Sequence, residues 1–185
     1  KSASDRLDDY SEAKALADAT PEEKAAYDKA VADGKAAIEA AKDPAKVAEA
    51  LTQAKAAVDA ALATINADRA AAAEAAAEMA EADKAVEDAK TAAETAKKAA
   101  AEAVADKYAT DADKTAVNTA KETLDAKIKA AEDLPADATA QQKNDAAKAI
   151  EDAVKALNEA VDTANIHSAA AKAQAEAAAT AAEQL

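Results

Sequence analysis

From Ala45 to Lys107 the chain contains neither glycine nor proline. Counted in heptads from Leu51, the span places Val58, Ile65, Ala72, Met79, Val86, Ala93 and Ala100 in one column. The companion column holds Ala54, Ala61, Asp68, Ala75, Ala82, Ala89, Ala96 and Ala103. A seam kept in phase over this many heptads, with nothing to break the i→i−4 ladder, predicts one continuous helix of roughly 60 residues, about 90 Å at 1.5 Å per residue. Any fold open to this chain is built around that helix.

Composition decides whether such a helix can hold a core. Leu, Ile, Val and Phe together make up roughly a tenth of the residues, a level that in a highly charged chain points to disorder. Against this, the filler is Ala, Glu, Lys, Leu and Gln, the strongest helix formers, with one Gly and three Pro in all. The expectation is therefore all-α with thin, alanine-lined cores. A net charge of −14 argues against nucleic acid and anionic membranes as partners, because the phosphate-neutralising excess of Lys and Arg is missing. Opposite charges are interspersed, as in "EDAKTAAETAKK", which suits solvated helix faces.

Two segments repeat. "ATPEEKAAYDKAVADGKAAIEAAKD" from Ala19 aligns without gaps on "ATDADKTAVNTAKETLDAKIKAAED" from Ala109, an offset of about 90 residues. "ALTQAKAAVDAALATIN" from Ala50 then pairs with "AIEDAVKALNEAVDTAN" from Ala149 at an offset of about 99, the insertion falling in the Pro-bearing "LPADATAQQ". Each copy carries helix-start signals. Thr20, Pro21 and Glu23 form an N-cap, a first-turn proline and a capping-box acid; Thr110 with Asp113 is the weaker copy. Asp43 before Pro44 opens the next helix, Thr139 with Gln142 does so in the second copy, and Pro135 ends the helix before it.

Each copy thus predicts three helices. The expected organisation is two tandem three-helix bundle modules joined by one long helix as an elongated rod: residues 1–67 a module with a truncated first helix, 68–84 an Ala-rich helical connector, 85–166 a second module, and 167–185 the start of a further connecting helix. The connector is expected to stay helical through Ala propensity and i,i+4 ion pairs. Gly34, aligned with Leu124, predicts a close helix approach. Tyr10, Tyr27 and Tyr108 are expected to cover bundle ends. Ala72, Ala75, Met79 and Ala82 form the strip through which two chains would pair weakly.

Chemistry is sparse. There is no Cys and one His, His167, which has only Asp162 nearby in sequence as a metal co-ligand and is expected to be plain surface. No serine has a base arranged beside it and no Gly-rich loop would cradle phosphate. No catalytic residue, cofactor or metal is expected. No segment of the sequence is apolar and long enough for a membrane span, and the opening "KSASDRLDDY" lacks a signal-peptide core; with no initiator Met, the chain is expected to be a fragment or processed form.

On "DATPEEKAAYDKAVADGKAAIEAAKD" followed by "VAEALTQAKAAVDAALATI", and more faintly on the second copy, the chain resembles the FIVAR-type helical repeats of giant Gram-positive surface proteins, including the staphylococcal extracellular-matrix-binding type. The resemblance implies three-helix modules repeated in tandem, neighbouring repeats as partners, display from a bacterial cell wall through regions outside this chain, and a stalk or adhesin role. The expected function is a non-enzymatic spacer that holds a distal binding region away from the wall. The alternatives are a module binding fibronectin or another matrix or plasma protein, and a disordered stress-protective chain.

Overall fold

A computed structural model describes residues 1–14 and 16–183. Among them the backbone forms five helices and no strand, so the protein is all-α: α1 Ala3–Glu12, α2 Pro21–Ala40, α3 Pro44–Ala105, α4 Asp111–Glu132 and α5 Ala140–Glu183. The heptad-phased span lies in α3, 62 residues without interruption.

Helix starts follow local chemistry. Thr20 accepts from the Glu23 N–H while Glu23 accepts from the Thr20 N–H, with Pro21 in the first turn. Thr110 and Asp113 form the same reciprocal pair, as do Thr139 and Gln142. Asp43 accepts from the Ala45 N–H at 2.8 Å, and its carbonyl accepts from the Val47 N–H. These bonds satisfy donors that a helix start otherwise leaves without partners. α1, expected as a truncated helix, opens on a capping box of its own between Ser2 and Asp5.

By internal contacts the chain divides into two compact units, Lys1–Ala75 and Ala76–Leu185. In the first, Leu7 of α1, Tyr27 and Ile38 of α2, and Leu51, Ala54, Val58 and Ile65 of α3 share one core. Gly34 belongs there for steric reasons: a Cβ on it would stand 2.7 Å from the Ala54 Cβ and 3.0 Å from Leu7 Cδ2. In the second unit the buried residues of α3 are Val86 and then alanines, Ala89, Ala93, Ala96, Ala100 and Ala103, with the half-buried Val104 packed against the core. The bulk comes from Val117 and Leu124 of α4 and from Ile150, Leu157 and Val161 of α5. Alanine seams let helix backbones approach closely but bury little apolar area per residue.

Between the two cores α3 is exposed from Ala70 to Glu78. This corrects two expectations. Ala72 and Ala75 of the proposed pairing strip are exposed and Met79 is half-buried, but Ala82 is fully buried within the second unit and is not available to another chain. Of the expected i,i+4 ion pairs, residues 68–84 enter one among the described residues, from Lys84 to Asp88, and none lies within the exposed stretch. Residues 70–81 carry Glu74, Glu78 and Glu81 and no cation, so the i,i+4 neighbours Glu74 and Glu78 repel.

Candidate functional site

Two of the polar clusters that the fold brings together from distant sequence sit at the starts of α2 and α4. In the first unit Arg69, one turn beyond the core residue Ile65, reaches the capping box of α2. Its Nε donates to Glu23 Oε1 at 2.8 Å and its Nη2 to Glu23 Oε2 at 2.6 Å, a two-pronged pair. Nη1 reaches the Asp18 carboxylate at 3.3 Å, and Nη2 also donates to the Asp18 carbonyl. Glu23 thus serves the α2 cap and α3 at once. The Arg69 guanidinium, and after it the Thr20 backbone N–H, lowers the Glu23 pKa from its ordinary 4.5 to about 2.

The second unit repeats the arrangement with other residues. Asp113, 7% exposed, accepts from the Thr110 hydroxyl at 2.7 Å and from the Thr110 N–H. Its other oxygen lies 2.7 Å from His167 Nδ1 on α5. Because an ionised carboxylate only accepts, Nδ1 carries the hydrogen. The Thr110 hydroxyl first, and His167 second, hold the Asp113 carboxyl below its usual range. His167 is exposed, as expected of a surface residue, but it is bonded across helices, and its partner is Asp113 rather than Asp162.

Sequence comparison missed both ties. The third segments align at an offset of about 99, which sets Arg69 against Ser168, whereas Arg69 and His167 differ by 98 (167 − 69). The available signal was the acid: Glu23 and Asp113 occupy the same place in the aligned copies. A third cluster has no counterpart in the second unit's sequence. The Tyr10 hydroxyl donates to Asp59 at 2.7 Å, Lys14 bonds both, and the ammonium groups of Lys14 and Lys55 lie 4.5 and 4.7 Å from the Tyr10 ring centroid. The Lys14 ammonium, then the Tyr10 hydroxyl, lowers the Asp59 pKa. Tyr27 is buried, its hydroxyl donating to the Ser11 carbonyl at 2.6 Å; Tyr108 is half-buried beside Lys107.

These clusters tie helices together: α3 to α2, α5 to α4 and α1 to α3. Among the described residues, no group of three or more His, Asp or Glu side chains is placed to hold a metal ion, and no helix is long and apolar enough to cross a membrane. Compared with protein-family models, curated proteins and solved structures, the chain matches none.

The Glu23 pair has a pH consequence. A carboxyl whose folded pKa is depressed contributes stability above its unfolded value, and that contribution is lost as pH falls through the folded value. The first unit should lose stability between about pH 4.5 and pH 2. Arg69→Ala should remove most of that loss, seen as a flatter plot of melting temperature against pH. An unchanged slope would mean that other carboxyls govern the acid response.

Proposed function

We propose that the chain is a non-enzymatic spacer, a stalk segment of a repetitive bacterial surface protein that holds a distal binding region away from the cell wall. The observation that carries the reading is α3, one helix of 62 residues that contributes to the core of one unit, crosses an exposed stretch, and contributes to the core of the next. A helix fixes the rise per residue, where a Gly- or Ser-rich linker of equal length coils. Solubility comes from the interspersed charges on outward faces. The tandem arrangement is supported by the aligned capping boxes and by the recurrence of a side-chain tie from the capping-box acid to a later helix at the start of α2 and of α4. The extracellular, wall-anchored setting rests on the FIVAR-type resemblance alone, as does any partnership with neighbouring repeats or with a host matrix or plasma protein.

The chain has no cysteine, so paired spin labels can be placed without background. With Asp68→Cys and Lys84→Cys labelled, the spacer reading expects a single narrow distance distribution near the helical separation, about 24 Å between Cα atoms. Replacing Ala72–Glu78 by Gly and Ser should broaden it. A broad distribution in the unaltered connector would remove the reading, because a stretch that coils sets no distance.

A further inference from the structure

The exposed stretch of α3 has an unexplained source of order. Residues 70–81 form a run of about the length at which even Ala-rich helices are marginal in water. The run makes no ion pair among the described residues, and its three carboxylates repel at i,i+4 (Glu74 and Glu78) and i,i+3 (Glu78 and Glu81). Alanine propensity favours propagation of a helix but does not supply the costly first turn. That turn must come from the flanks.

On each flank, a long-range ion pair stands close to the boundary. Arg69 immediately precedes the run and is fastened to Glu23 and Asp18 of the first unit, its own side chain only 31% exposed. Asp83 follows two residues after the run and is bonded at 2.5 Å to Lys143 on α5 of the second unit, where the Lys143 side chain is 20% exposed. Each pair adds to the packing beside it, of Ile65 before the run and of Ala82 after it, in fixing one turn of α3 within its own unit, so the run between them needs only to propagate.

We propose that Arg69 and Lys143 are positioning residues that keep the connector helical from its two ends, so that spacer stiffness is set by two ion pairs lying outside the exposed stretch. The proposal rests on the spacer reading and adds to it a control that acid can loosen through Glu23. Salt acts on the run in two opposite ways. It weakens the flanking pairs and also screens the repulsion among Glu74, Glu78 and Glu81. Because the flanking pairs are partly buried and the three carboxylates are exposed, salt screens the repulsion more than it weakens the pairs, so acid and substitution, not salt, test the anchoring.

The test is amide hydrogen exchange on the full chain. Arg69→Ala should raise exchange severalfold in the first half of the 70–81 run, and Lys143→Ala in the second half. The double variant should raise it throughout. If Arg69→Ala also loosens amides around Val58, Arg69→Lys supplies the comparison, since a lysine keeps the charge but not the two-pronged geometry; a smaller rise confined to the first half is then expected. Unchanged exchange over the run in the double variant overturns the proposal. A narrow spin-label distance together with that result would leave the spacer reading standing and remove only the anchoring.

Discussion

Replacing Leu124 by alanine is expected to be the most damaging single truncation in the second unit. Leu124 is wholly buried, and the α3 segment sharing its core presents alanine at every buried position after Val86. Large-to-small changes of this kind cost about 2–5 kcal/mol, the spread reflecting how far the site can collapse. Collapse is limited on the α3 side, where a row of alanine Cβ atoms has no side chain with which to fill a void. The loss is a large part of the stability of a domain of ordinary size, about 5–15 kcal/mol in total. The second unit should therefore melt on the order of 10 °C lower or more. Circular dichroism gives the overall melt, and hydrogen exchange assigns it: amides around Leu157 should lose protection while those around Val58 keep theirs. A shift no larger than that of an exposed Leu→Ala change would show that bulk at this layer comes from elsewhere.

The features legible in the sequence are those encoded within a few residues of one another. Capping needs a Thr or Asp and an acid or amide three residues on, and the hydrogen bonds at Thr20, Thr110 and Thr139 occupy those positions. The length of α3 follows from absent helix breakers and one seam phase, both readable from a single strand of text. Burial along that seam does not follow. Ala75 and Ala82 belong to one column and one residue type, yet one is exposed and the other buried, since the outcome depends on whether other helices of the unit lie alongside. The ties of Arg69 and His167 span sequence separations of 46 and 54 residues, and in the aligned copies they sit one position out of register. A long guanidinium and a short imidazole reach equivalent acids from neighbouring helix positions, so a comparison of like with like passes over them.

Gly34 shows how two aligned copies can fill a core differently, and it carries the second large prediction. Position 34 aligns with Leu124, and leucine is a far better helix former than glycine, by nearly 1 kcal/mol in a helix interior. On propensity alone Gly34→Leu should stabilise the first unit. The structure expects the reverse. Any Cβ at this position meets the Ala54 Cβ at 2.7 Å, and that atom is fixed to the α3 backbone and cannot rotate away; Leu7 Cδ2, at 3.0 Å, occupies the remaining space. Overpacking a filled core costs typically 1–3 kcal/mol and here acts on a helix crossing, so the net change should be a loss of about 1–3 kcal/mol despite the gain in propensity. Companion changes separate the two contacts. Leu7→Ala in the Gly34→Leu background removes the flexible obstacle only and should restore little, whereas Ala54→Gly removes the fixed one and should recover more than Leu7→Ala does. The coupling energy from a double-mutant cycle should therefore be larger for the 34/54 pair than for the 34/7 pair. Urea melts of the four chains in each cycle give it directly. If Gly34→Leu instead raised stability, α2 and α3 would not cross closely at this point, and the glycine would need another explanation.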